Sequence, residues 1–159
     1  MTNVDVVNYA ADRKAAAIFK DFDRYRHIQS DISELAYMPE CDYLLNFAAE
    51  SHVDNSIADS SRFCISNFMG TQRLMELVRA KAPDDRPRFV QISTDEVYGD
   101  IADGEHTEND MLCPSNPYSA TKAAADMLIY GWSRTYGVDY NIIRMSNNYG
   151  MHQFPEKLI

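Results

Sequence analysis

A hydroxyl and two adjacent carboxylates, Thr94, Asp95 and Glu96, follow directly on the apolar run Phe89-Val90-Gln91-Ile92-Ser93. Tyr118 and Lys122 stand four residues apart in an alanine-rich segment, a spacing that stacks two side chains on one helix face. A phenol beside an ammonium suits proton abstraction from an alcohol, because the positive charge stabilises the phenolate and lowers the tyrosine pKa. Thr94 is placed to orient the same oxygen. Adjacent carboxylates in different environments, one protonated and one ionised, suit an elimination: a base removes a proton while an acid protonates the departing oxygen. Each pattern alone also has an ordinary reading, Tyr-x-x-x-Lys as a solvated helix face and Asp-Glu as an exposed turn. Their convergence is what points to chemistry.

To converge, the groups need a strand that ends at Thr94 and a helix that begins near Tyr118. Short apolar runs that stop at polar residues read as buried parallel strands. The chain has several: Thr2 to Asp5, Tyr25 to Gln29, Asp42 to Phe47, Phe89 to Ser93 and Asp139 to Met145. Between them lie a brief helix over Asp12 to Phe19, a weak one before Pro39, and a long one from Ser60 to Ala82, in which Gly70 suggests close packing. A further helix starts at Asn116-Pro117, a cap followed by proline at the first helical position, and stops at Gly137. Alternating strands and helices predict right-handed crossovers and an α/β, doubly wound parallel sheet with helices on both faces. Ligands in such sheets bind beyond the strands' carboxyl ends. Asp5, Asp31, Glu50-Ser51, Thr94-Asp95-Glu96 and Asn147-Asn148 all fall there. Asp5 suits the two hydroxyls of a ribose, and Asp31-Ile32 the edge and face of an adenine, although each alone reads equally well as a helix cap.

Composition narrows the class. A chain of 159 residues, 45% hydrophobic and 25% charged, is that of one ordinary globular domain. A formal net charge of −9 argues against a general nucleic-acid or anionic-membrane surface. There is no apolar run of the ~20 residues a membrane helix needs and no signal-peptide core at the start, so a cytoplasmic location is expected. Cys41, Cys64 and Cys113 are odd in number and far from any histidine pair, so we expect partly buried reduced thiols, without a disulfide framework or a metal site. His52 reads as structural, and His27, His106 and His152 carry no signal.

Ser93-Thr94-Asp95-Glu96-Val97-Tyr98-Gly99, the Tyr118/Lys122 pair, Ala48-Ala49-Glu50-Ser51-His52-Val53-Asp54, Ser146-Asn147-Asn148-Tyr149-Gly150 and the ending Phe154-Pro155-Glu156-Lys157-Leu158-Ile159 together resemble an extended short-chain dehydrogenase/reductase. The resemblance is to the dTDP-glucose 4,6-dehydratase family, and it covers nearly the whole chain with the motifs in family order. It implies NAD as cofactor and dTDP-glucose as substrate. Tyr118 would take the sugar 4-hydroxyl proton with Thr94 bonding that oxygen, Glu96 would remove the C5 proton, and Asp95 would protonate the departing 6-hydroxyl. Asp5, Asp31, Ile32, Phe47, Ala48, Ala49, Glu50, Ser51, Ser66, Tyr118, Lys122 and Asn148 would hold NAD. Ser51, Thr94, Asn147, Glu156 and Lys157 would meet the substrate. A homodimer of the full-length protein through the helices near Ser60 and Pro117 is implied as well.

The sequence departs from this family where a first strand and a Gly-x-x-Gly-x-x-Gly loop belong, and only 6 of 159 residues are glycine, about 4% against a usual ~7%. The missing strand is the central one, so the two halves of the sheet are expected to lack the strand they share. We therefore read residues 1–150 as an incomplete NAD-binding Rossmann-like domain and 151–159 as the start of a substrate-binding region, an internal fragment that binds NAD weakly and turns over little. Other readings stay open: a nucleotide-sugar epimerase, a dehydratase acting on a UDP-, CDP- or GDP-sugar, or an inactive truncated remnant.

Overall fold

The computed structural model describes residues 1–19 and 21–155. Five short strands, β1 (Thr2–Asp5), β2 (Arg26–Gln29), β3 (Tyr43–Asn46), β4 (Arg88–Thr94) and β5 (Tyr140–Met145), all pair in parallel. They form two separate sheets, β1-β2 and β3-β4-β5, as expected of a sheet that lacks its central strand. Both β1 and β3 line a cavity of about 910 Å³, with Ile32, Leu35 and Leu74 among its other walls.

The helices are α1 (Arg13–Phe19), α2 (Val53–Ala58), α3 (Ser61–Phe63), α4 (Gly70–Arg79) and α5 (Pro117–Tyr136). The long helix expected from Ser60 to Ala82 is present as α3 and α4 joined by a π-helical stretch, Cys64–Met69. The weak helix expected before Pro39 is only a 3₁₀ turn, Ile32–Glu34, with Asp31 accepting from the Ser33 N–H. Helix α2 was not foreseen; His52 caps it, its Nδ1 accepting from the Asn55 N–H at 3.4 Å. Helix α5 matches its sequence signals closely: Asn116 caps it in a reciprocal box with Ser119, Pro117 opens it, and Gly137 stops it at φ 68°.

The main core joins Leu74, Met75 and Val78 of α4 to Leu128 and Ile129 of α5 over Phe89, with Leu44, Tyr140 and Ile142 packed alongside. This covers one face of the three-stranded sheet. Tyr43, Leu45 and Ile143 on its other face are exposed, so the expectation of helices on both faces is met on one. Successive right-handed crossovers in one direction, β3 to β4 to β5, put both helices on the same side. Gly70 earns its place in α4, since a Cβ there would sit 2.6 Å from Ile32 Cδ1. The three cysteines are free and exposed, not partly buried as expected, because Cys41 and Cys113 lie in loops and Cys64 on the outer side of the helix.

Candidate active site

Strand β4 ends at Thr94, where the chain turns into a 3₁₀ segment, Asp95–Tyr98. Thr94 caps that turn: Oγ1 accepts from the Glu96 N–H at 3.2 Å and donates to Asp95 Oδ1 at 3.2 Å. The turn closes at Gly99, whose φ of 86° lies in the left-handed region that glycine favours. Glu96 is bound from α5, as Asn116 Nδ2 donates to its Oε2 at 3.2 Å. The residue that caps the helix thus also fixes the second acid. Tyr118, in the first turn of α5, is 8% exposed, and its N–H donates to Ser56 Oγ at 3.1 Å.

Electrostatics tie these groups together. Burial pushes the Tyr118 phenol up to about 12, the charges of Glu96 and Asp95 push the same way, and the Thr94 hydroxyl pulls it down. The expected lowering by the Lys122 ammonium does not occur in this structure: burial first, then the charges of Glu96 and Asp95, hold the phenol up. Lys122 is 3% exposed and spends its ammonium on the Ile92 carbonyl at 2.6 Å. Burial drags its pKa down to about 8, with the charge of Asp126 opposing.

A second cavity of about 530 Å³, within the ~300–1,000 Å³ usual for ligand pockets, lies past the ends of β1 and β3. Asp5, Asp31, Ile32, Phe47, Ala48, Ala49, Glu50, Ser51 and Ser66 all line it, so the structure gathers nine of the predicted cofactor residues there. Its chemistry fits an adenosine: exposed Asp5, one oxygen of which accepts from the Val7 N–H at 2.6 Å, and the buried apolar shelf of Ile32. Tyr118, Lys122 and Asn148 do not line it. Asn147 and Asn148 are exposed after β5, with Asn148 Nδ2 donating to the Ser146 carbonyl at 2.7 Å. Glu156 and Lys157 lie outside the described residues.

Sequence reasoning missed Asn67. Lodged in the π-helical stretch and 1% exposed, its amide pairs with both backbone groups of Glu50, at 2.8 and 2.9 Å, and donates to Thr121 Oγ1 at 3.0 Å. It locks the cavity-lining turn after β3 to α5. A π-turn leaves no periodic trace in a sequence, so only the buried polar contact reveals it. Arg62 and Ile65 also join the cavity without a sequence signal. No cluster of potential metal ligands occurs among the described residues, and no helix among them is long and apolar enough to cross a membrane.

A family model described as GDP-mannose 4,6 dehydratase matches residues 13–159. The low-salt glycan biosynthesis protein Agl12 of Haloferax volcanii is 44% identical over all of this chain and 52% of its own length. A dTDP-glucose 4,6-dehydratase of Streptomyces niveus is 41% identical over all of this chain and 48% of its own. Thus the chain spans about half the length of the curated relatives it matches. A crystal structure of a double mutant of DesIV, a dTDP-glucose 4,6-dehydratase from Streptomyces venezuelae, holding NAD, superposes with a TM-score of 0.89 at 41% identity, over 99% of this chain and 49% of that one. UDP-glucuronic acid 4-epimerase from Bacillus cereus, with NAD and its sugar nucleotide, reaches the same TM-score at 23% identity, a likeness of fold alone.

Proposed function

The chain belongs to the GDP-mannose 4,6 dehydratase family, and on that premise we propose that its residues carry the reaction of a dTDP-glucose 4,6-dehydratase. The observation that bears most weight is the turn at the end of β4, where Thr94 bonds both Asp95 and the Glu96 N–H, and Asn116, the cap of the helix that carries Tyr118, binds the Glu96 carboxylate. In this reading residues 1–150 are the NAD-binding part, and residues beyond 150 begin the substrate side. Asp5 takes the ribose hydroxyls, Asp31 and Ile32 the adenine, and Phe47 to Ser51 with Ser66 the middle of the cofactor. Lys122 and Asn148 join at its far end. Bound NAD⁺ would supply hydride storage, receiving two electrons from C4 and giving them to C6.

The chain's own groups move the protons. Tyr118 accepts the proton of the sugar 4-hydroxyl, with Thr94 bonding the same oxygen. Glu96 takes the C5 proton, acidified by the 4-ketone. Asp95 gives its proton to the 6-hydroxyl, which leaves as water; Glu96 returns its proton to C5, and Asp95 regains a proton from solvent as Tyr118 gives up the one it took. Asn116 aims Glu96. Ser51, Thr94, Asn147, Glu156 and Lys157 meet the nucleotide sugar, and the helices near Ser60 and Pro117 form a homodimer face.

A chimera tests this: the 159 residues replace the matching half of the full-length Streptomyces niveus relative. With dTDP-glucose and NAD⁺ the expected product is the 4-keto-6-deoxy sugar, identified by mass and NMR. A 4-epimer formed without loss of water overturns the reading in favour of an epimerase.

A further inference from the structure

The carboxylate of Asp126 has no role in that scheme, yet it is 1% exposed and sits on α5 one turn after Lys122. Its Oδ2 accepts from Ser93 Oγ on β4 at 3.0 Å and from Arg144 Nε on β5 at 3.0 Å. Its Oδ1 is buried with no hydrogen-bond partner. Arg144 carries the connection onward. Its Nη1 donates to the Tyr98 hydroxyl at 2.7 Å and to the Glu108 carbonyl at 3.4 Å, and its guanidinium lies 4.9 Å over the Tyr98 ring. Tyr98 ends the turn that begins with Asp95 and Glu96.

We infer that Asp126 is a positioning residue for the proposed site: one buried carboxylate serves as counter-charge to the Lys122 ammonium and, through Arg144 and Tyr98, fixes the turn that carries Asp95 and Glu96. An ion pair kept only for stability would satisfy both oxygens, and a buried pair is often no better than apolar packing. Here one oxygen is left without a hydrogen bond, on the helix face that Lys122 shares four residues earlier. The charged and titratable surroundings are few. Arg144 comes from β5, while Tyr98 stacks on His106 at 5.1 Å, which in turn meets Asp110 at 3.2 Å. Tyr118, with Glu96 and Asp95 beside it, lies one turn before Lys122. From the same face of α5, one turn on, the charge of Asp126 favours the Lys122 cation against burial.

The inference rests on the proposed roles of Lys122, Asp95 and Glu96, but its test uses no turnover, so a failed dehydratase assay and a failed Asp126 test are separable. The whole chain, labelled with ¹³C and ¹⁵N, is titrated by NMR following Lys122 Cε and Asp126 Cγ. Both resonances are expected to step together at one midpoint. In Asp126→Asn the Lys122 midpoint should fall by about one pH unit or more, and Asp126→Glu should restore it. The amides of Asp95 to Tyr98 should shift in Asp126→Asn and return in Asp126→Glu. An Asp126 Cγ resonance that stays flat while Lys122 titrates overturns the inference, and this needs only the unsubstituted chain. An unchanged Lys122 midpoint in folded Asp126→Asn overturns it equally.

Discussion

Two buried titratable groups one helical turn apart are displaced in opposite directions, and each displacement is measurable. Tyr118 is held up near 12 by burial first and by Glu96 and Asp95 after it. Removing a negative charge eases ionisation, so Glu96→Gln should lower the phenol pKa, and Asp95→Asn should lower it less; ¹³Cζ titration of Tyr118 reads both. Lys122 falls from an ordinary 10.5 to about 8, chiefly through burial. Below pH 8 both folded and unfolded chains hold the proton, and the fold bears the full cost of a buried cation. Between about 8 and 10.5 the unfolded chain binds more protons than the folded one, so stability contributed at this site rises with pH. Lys122→Met should therefore stabilise the chain at pH 7 by roughly 2 kcal/mol, after discounting the lost bond to Ile92, and the gain should turn into a loss of about 1 kcal/mol by pH 10.5, where little but that lost bond remains. Urea midpoints across that range check it.

At the scale of elements, what the sequence made legible and what it hid divide along a physical line. The cap at Asn116, the proline after it and the stop at Gly137 are local signals, and α5 follows them. The ends of β4 and β5 are likewise local, set by apolar runs that meet polar residues. The π-stretch and the turn at Asp95–Tyr98 depend on partners far along the chain: Asn67 on Glu50 and Thr121, and Glu96 on Asn116. No periodicity announces them. The candidate residues were therefore legible one by one and their arrangement was not: the raised Tyr118 and the Ile92 contact of Lys122 depend on packing across the fold. Asn67→Ala should leave the Glu50 N–H and C=O without partners and cost about 2–3 kcal/mol by thermal melting. Gly99→Ala should cost at least as much, since its φ is 86° and a Cβ would strike the Cys113 carbonyl.

Across the whole molecule, stability should be uneven. β4 is hydrogen-bonded on both sides and buried under α4 and α5, whereas among the described residues β1 and β2 pair only with each other. Hydrogen exchange should find β4 and α5 the slowest and β1-β2 the fastest of the ordered elements; equal protection throughout would mean one cooperative unit instead. In the proposed reaction two carboxylates divide acid and base work beside Tyr118. Its most direct test is Glu96→Gln in the chimera supplied with dTDP-glucose and NAD⁺, with a carbonyl-trapping hydrazine present. The account predicts that the sugar is oxidised at C4 and trapped as the 4-hydrazone with its 6-hydroxyl retained, while water loss falls by about 10²-fold or more. Undiminished formation of the 4-keto-6-deoxy product would contradict it, because the C5 proton would then have another base.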